Sequence, residues 1–257
     1  ISGFNIKKDT GFAMMMEAQK RGYEIYYMEM DDLSLRQGQG YATAAKARVF
    51  DDVNHWYELE EKATIALADL DVILMRKDPP FDTEYIYATY ILERAEQAGT
   101  LIINKPQSLR DANEKLFTAW FSEHTPDTLV TRSQADIRAF LAEHKDIILK
   151  PLDGMGGASI FRVKEDDANI GVICETLTEH GSRFAMAQNY IPEIKQGDKR
   201  VLVVDGEVMP YCLARIPQNG ETRGNLAAGG RGEARPISDS DRKIAEAVAP
   251  TLKEKGL

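Results

Sequence analysis

Thiols and imidazoles are scarce in this chain of 257 residues, which has two cysteines, Cys174 and Cys212, and four histidines, His55, His124, His144 and His180. Two cysteines exclude a disulfide framework and suit a reducing compartment. Each is better read as a buried, inert thiol than as a nucleophile. The histidines are scattered, without metal-ligand spacing. No run of about 18 apolar residues occurs and no signal peptide opens the sequence, so the expected location is the cytoplasm, with no membrane partner. Basic blocks are missing too. With 32 Lys and Arg against 41 Asp and Glu, the net charge of -9 argues against nucleic acid or an anionic membrane as partner. There is no internal repeat and no low-complexity tract. The chain opens at Ile1 without a methionine and ends at Leu257 after a helix-stop pattern, the look of a piece of something longer.

What is present is ordinary globular material, 43% hydrophobic and 28% charged, enough for two domains or one large one. Helix and strand patterns alternate over the first hundred residues. Phe12 to Arg21 reads as a helix stopped by Gly22, followed by the strand "YEIYYMEM". "DVILMR" (71–76) reads as a strand buried on both faces. "DTEYIYATYILERAEQAG" reads as a helix with Gly99 at its stop, before the strand "TLIIN". This is α/β logic with a parallel sheet, in which a strand is expected before Ile1. Residues 31–62 have weak periodicity and receive no assignment.

From about residue 105 the texture is α+β. Ser108 and Asp111 suggest a helix N-cap box, followed by an apolar stripe of Leu116, Phe117, Trp120 and Phe121. "DTLVT", "DIILK", "SIFRV" and "FAMAQNYI" read as strands; Ala135–Glu143 and Asn169–His180 read as helices. "KRVLVVDGEVMPYCLARI" reads as a hairpin turning at Asp205-Gly206.

The stretch "DIILKPLDGMGGASIFRV" carries the first chemistry. Lys150 ends an apolar strand, Gly154, Gly156 and Gly157 follow, and a second strand resumes. A P-loop places its lysine after the glycines and before a helix, and a dinucleotide fingerprint opens a helix. Both are excluded. Two readings stay open: a mobile flap whose backbone amides approach phosphates, and a plain hairpin with a solvated lysine.

Lys115 in "NEKLF", on a helix, with Lys150 before its flap and the strand "QNYI", together resemble the ATP-grasp fold. The longer strings "LMRKDPPFD", "NKPQSLRDANEKLFTAWF", "GDKRVLVVDGE" and "RIPQNGETRGNLAAGGRGE" resemble the bacterial, prokaryotic-type glutathione synthetase family almost end to end. The resemblance implies a pre-ATP-grasp α/β domain over residues 1–112. It implies an ATP-grasp central and lid subdomain over 113–192, and over 193–257 the start of a C-terminal subdomain that continues further.

The implied activity joins γ-glutamylcysteine to glycine through an acyl phosphate, splitting ATP to ADP and phosphate. By the resemblance, Lys115 and Lys150 contact the phosphates and Gly154, Met155, Gly156 and Gly157 cover them. Gln188, Asn189, Tyr190 and Ile191 form the adenine hinge, and Asp198 lies near the nucleoside. Arg200 and Arg215 face the transferred phosphate and the peptide, as planar guanidinium groups suit. The glycine-rich segment 217–232 is expected to be a lid, with Arg223 reaching the tetrahedral intermediate and Gly230 and Arg231 near substrate. Arg76, Lys77 and Asp78 follow an α/β strand, where open sheets bind ligands, and are assigned to the peptide, with Asn5 and Lys8 as weaker candidates. Mg2+ or Mn2+ is implied, its ligands lying past Leu257, so residues 1–257 alone are expected to be inactive. The family also implies a homo-oligomer, dimer or tetramer. Competing readings are another ATP-grasp carboxylate–amine ligase, which would lack "RKDPPFD" and "ETRGNLAAGGRGE", and a noncatalytic ATP-binding module, against which the arginines weigh.

Overall fold

The computed structural model describes residues 1–77, 80–218, 224–226 and 229–257. Two compact units divide the chain, Ile1–Arg110 and Asp111–Leu257.

In the first unit α1 (Thr10–Lys20) starts where the Asp9 carboxylate accepts from the Phe12 amide at 2.8 Å. Strands β1 (Ile25–Tyr27), β2 (Leu33–Arg36), β3 (Gln39–Val49), β4 (Tyr57–Leu59) and β5 (Ala63–Ala66) form one antiparallel sheet around β3. After it come β6 (Val72–Leu74), α2 (Thr83–Gln97), β7 (Leu101–Ile103) and α3 (Pro106–Asp111). The stretch 31–62, unreadable by periodicity, supplies most of this sheet. Its longest strand is rich in alanine, which carries little hydrophobic signal yet lets a helix approach closely. Ala42, Ala44, Ala45 and Ala47 are all buried, and a Cβ on Gly40 would stand 3.0 Å from the Ile91 carbonyl oxygen of α2.

The expected parallel pairing is present between β6 and β7, with Val72 opposite Leu101 and Leu74 opposite Ile103. Burial on both faces is not. Ile73 and Ile102 pack with Leu92 and Ala95 of α2, whereas Val72, Leu74, Leu101 and Ile103 are 42–56% exposed. Among the described residues a helix covers one face of this pair, and the other face is open.

The second unit begins with a correction. Ser108 lies inside α3, and the cap belongs instead to Asn113, whose Oδ1 accepts from the amides of Lys115 (3.1 Å) and Leu116 (2.8 Å). The turn that follows, Leu116–His124, is a 3₁₀ helix broken at Phe121, and none of its stripe is fully buried. Lys115 therefore sits just before a short 3₁₀ turn capped by Asn113 and does not ride on an α-helix face.

Next come β8 (Thr128–Thr131), α4 (Gln134–His144), β9 (Asp146–Pro151), β10 (Phe161–Lys164), α5 (Ile170–Thr178) and β11 (Ala185–Asn189). The strands form an antiparallel sheet in the order β10-β9-β11-β8. Side chains alternate between the faces of a strand. Ile147, Leu149, Val163, Ala185 and Ala187 fall on one face and make a core with Ile137 and Leu141 of α4 and Cys174 and Leu177 of α5. That alternation commits Ile148, Lys150, Arg162, Met186, Gln188 and Thr128 to the opposite face.

Finally β12 (Asp198–Val204), β13 (Glu207–Ile216) and β14 (Arg231–Pro236) form a three-stranded antiparallel sheet backed by α6 (Asp239–Lys255). Asp205 and Gly206 both have positive φ (49° and 80°), as the hairpin turn requires. Cys212 and Ala214 face α6 with Ala245 and Ala249, and Lys199 reaches Asp241 on that helix at 2.6 Å.

Candidate nucleotide and substrate site

Lys150 closes a polar chain on the face of the four-stranded sheet away from its helices. Its Nζ donates to Gln188 Oε1 at 2.6 Å. Gln188 Nε2 donates to Thr128 Oγ1 at 2.8 Å, and that hydroxyl donates to the Pro126 carbonyl at 2.7 Å. Burial is the main reason that the Lys150 ammonium is held below the usual 10.5, and the neighbouring charge of Lys115 adds to it. The charge of Lys115 is felt at Lys150, so an anion placed between them would favour both charged forms.

Lys115 approaches from the 3₁₀ turn. Its Nζ donates to the carbonyl oxygens of Gly154 (2.8 Å) and Leu152 (3.2 Å), so it grips the base of the glycine flap from across the chain. Its Nζ also pairs with the Glu114 carboxylate at 3.3 Å. In the flap Gly154, Gly156 and Gly157 have φ of 126°, 68° and 84°. Side chains other than glycine rarely adopt such values, which accounts for this spelling after a strand. Met155 between them is 40% exposed. At the flap base Asp153 is paired with Arg183, which Glu179 also holds.

The hinge leaves β11 along Asn189, Tyr190 and Ile191. The Tyr190 amide donates to the Asp146 carbonyl at 3.0 Å, and the Asn189 amide to that of Asp127 at 3.2 Å. The Arg162 guanidinium lies 3.6 Å above the Tyr190 ring and is locked to Asp146 by bonds of 2.9 and 2.6 Å. Among the described residues, Asn189 Oδ1 and the Tyr190 hydroxyl are buried and have no hydrogen-bond partner. Groups so placed are satisfied when a ligand or water arrives. Arg162, Asp146 and Thr128 were missed by sequence reasoning; the two-residue alternation through Lys150 and Gln188 was the available signal.

The three-stranded sheet carries the second cluster. Arg200 and Arg215, far apart in the written hairpin, lie two positions apart on one face of the ladder, because Asp198 is opposite Arg215 and Arg200 opposite Leu213. Arg215 donates to Asp198 through Nε (2.6 Å) and Nη2 (2.8 Å). Asp198 is thus the partner of Arg215, and its expected place near the nucleoside rests on the family resemblance. Gly224, midway along the glycine-rich segment, lies on this pair: a Cβ there would come within 2.6 Å of the Arg215 carbonyl oxygen and 3.2 Å of Asp198 Oδ2. Gly230 donates to the Asn225 carbonyl at 3.0 Å, and a Cβ there would strike the Gly224 backbone. Arg231 begins β14, paired with Glu233 and largely exposed. Arg223 and Asp78 lie outside the described residues. In the first unit, Arg76, Lys77, Asn5 and Lys8 are exposed on loops.

Among the described residues no group of three or more His, Cys, Asp or Glu side chains could hold a metal ion, so these residues do not by themselves fit the implied cation. Among them, too, no helix is long and apolar enough to cross a membrane.

Two family models match the chain. One, described as the prokaryotic glutathione synthetase N-terminal domain, matches residues 1–110, and the other, the ATP-grasp domain of the same family, matches residues 114–257. Glutathione synthetases from Escherichia coli O127:H6, Photorhabdus laumondii and Vibrio parahaemolyticus are each 70% identical over 257 residues, covering 100% of this chain and 81% of the relative. Solved structures with a similar fold include the ATP-grasp ligase PsnB complexed with minimal precursor, Mg and ADP, at TM-score 0.58 and 20% identity over 97% of this chain and 79% of that one. D-alanyl-alanine synthetase A from Vibrio cholerae aligns at TM-score 0.53 and 10% identity over 95% and 76%.

Proposed function

The chain belongs to the prokaryotic glutathione synthetase family, and on that premise we propose how its own residues carry the ATP-dependent ligation of γ-glutamylcysteine with glycine. The single observation behind the assignment of roles is the convergence of Lys115 and Lys150 at the base of the glycine flap. ATP lies on the polar face of the four-stranded sheet, its base against the Gln188–Ile191 hinge and its phosphates between the two ammonium groups. Gly154, Met155, Gly156 and Gly157 fold over them.

A carboxylate is a poor electrophile, so its oxygen first attacks the γ-phosphorus, releasing ADP and leaving an acyl phosphate. The glycine amine adds to that carbonyl, and phosphate leaves as the tetrahedral intermediate collapses. Neither step needs a covalent adduct of the protein, which agrees with buried Cys174 and Cys212. Positioning and charge offset do the rest. Arg215, oriented by Asp198, and Arg200 beside it bind the transferred phosphate and the peptide; Gly230 and Arg231 border the same ladder. Arg76, Lys77 and Asp78 serve the peptide substrate, and Arg223 meets the tetrahedral intermediate. The lid purpose of residues 217–232 is to keep water from the acyl phosphate.

A divalent cation, Mg2+ or Mn2+, belongs to this reading through the family alone, as do a homo-oligomer, dimer or tetramer, and a cytoplasmic setting. Phosphate release by the full-length protein tests the reading, with γ-glutamylcysteine and glycine added separately and together. Release equal in rate and independent of both substrates would defeat it.

A further inference from the structure

We propose that Thr128 fixes the orientation of the Gln188 carboxamide and thereby selects a purine bearing an amine, not an oxygen, at C6. The inference rests on the reading above that the base lies along the Gln188–Ile191 hinge.

Thr128 sits directly opposite Gln188 in the ladder between β8 and β11. A threonine hydroxyl has one proton. That proton is committed to the Pro126 carbonyl at 2.7 Å, so towards Gln188 the oxygen offers lone pairs alone. The group of Gln188 that meets it at 2.8 Å must therefore be the amide NH2. The carbonyl Oε1 is turned the other way, towards the Lys150 ammonium at 2.6 Å, a group that only donates. Flipping the carboxamide would set NH2 against ammonium and carbonyl against lone pairs. Both neighbours agree on one polarity.

The two constraints differ once nucleotide is present. Lys150 then turns its ammonium to phosphate, and its hold on Oε1 lapses. Thr128 is fixed by the ladder and by Pro126, so it alone keeps Oε1 presented as an acceptor beside the hinge. The 6-amine of adenine donates to such an oxygen. The 6-oxo group of hypoxanthine or guanine faces it lone pair to lone pair. Thr128 is a positioning residue, acting through Gln188.

The test compares kcat/KM for ATP and for inosine triphosphate in the full-length protein, with γ-glutamylcysteine and glycine saturating. Thr128→Val leaves the amide free to rotate and should narrow the ATP-to-inosine-triphosphate ratio by roughly tenfold, the scale of one buried hydrogen-bond mismatch, chiefly through KM. Thr128→Ser should keep the wild-type ratio. In a Gln188→Glu background, where the side chain has no NH2 end, Thr128→Val should leave the ratio unchanged. A wild-type ratio in Thr128→Val, or the same narrowing in the Gln188→Glu background, overturns the proposal. If Thr128→Val does not fold, Gln188→Met decides: the ratio collapses if Oε1 reads the base, and an intact ratio overturns the proposal. Failure of the underlying reading looks different, because wild type would then release no phosphate from ATP with both substrates present.

Discussion

Asp198 and Arg215 are joined across β12 and β13 by two charge-assisted hydrogen bonds, of 2.6 and 2.8 Å. Such a pair is expected to act as a unit. Asp198→Ala and Arg215→Ala should each lower kcat/KM for γ-glutamylcysteine by about 1.5–3 kcal/mol, roughly ten- to 150-fold. The double substitution should cost little more than the worse single one. Additive losses in steady-state kinetics would mean that the carboxylate has a task of its own.

Lys150 gives a pH signature. Burial, and then Lys115, hold its pKa below 10.5, so between its folded value and 10.5 the unfolded chain binds more protons. Over that window its contribution to stability rises with pH. Lys150→Met should accordingly melt at or above the wild-type temperature at pH 7, and this advantage should vanish as the pH nears 10.5. ATP affinity should fall by about 1.5–3 kcal/mol at pH 7. Calorimetric melts and nucleotide titrations read the two effects separately. A lower melting point with unchanged affinity would make the lysine structural.

Gly224→Ala places a methyl group where the Arg215 carbonyl oxygen would be 2.6 Å away. The segment has to lift from the Asp198–Arg215 pair. We expect kcat to fall at least tenfold while the melting temperature moves little, since the displaced contact is local. Unchanged turnover would show that the segment need not rest there.

Arg223→Ala addresses the lid itself. An interaction made chiefly in the transition state lowers kcat with ATP affinity nearly unchanged. The loss expected for one such donor is about 2.7–4 kcal/mol, roughly a hundred- to a thousandfold. The variant should also split more ATP per glutathione formed, as exposed acyl phosphate meets water. Normal kcat and coupling would reduce the segment to a linker.

Cys174 is fully buried on α5, and burial pushes its thiol pKa up. It should resist thiol reagents in the folded protein at pH 8. Cys174→Ser should leave kcat intact while destabilising the fold by about 1–3 kcal/mol, the cost of a poorly paired hydroxyl in a core. Rapid labelling of the native protein would contradict this placement.

Strong local signals were legible in the sequence. Asp205-Gly206 forced its turn, glycines 154, 156 and 157 marked the turn after β9, and the apolar run in "DIILK" marked a strand, whose alternation between faces only the structure shows. What stayed hidden depended on distant pairing. Alanine-rich β3 is held by strands and a helix remote in sequence, so its own periodicity is faint. The Ser108 cap failed because Asn113 lies nearer the turn and satisfies two amides at once. Lys115 could be recognised only through the family resemblance, since its bonding partners stand 37 and 39 residues away. Asp198, placed near the nucleoside only through the family resemblance, is set against Arg215 by a register that its local sequence does not reveal.

The grip of Lys115 on the flap has a corollary for binding. The three protons of this ammonium already meet the carbonyls of Leu152 and Gly154 and the carboxylate of Glu114, so a phosphate oxygen has to displace one of them. On the proposed reading, nucleotide arrival is therefore an exchange of partners at Lys115. The affinity for ATP would then reflect the difference between two sets of bonds, and a chain lacking this ammonium should bind nucleotide less well.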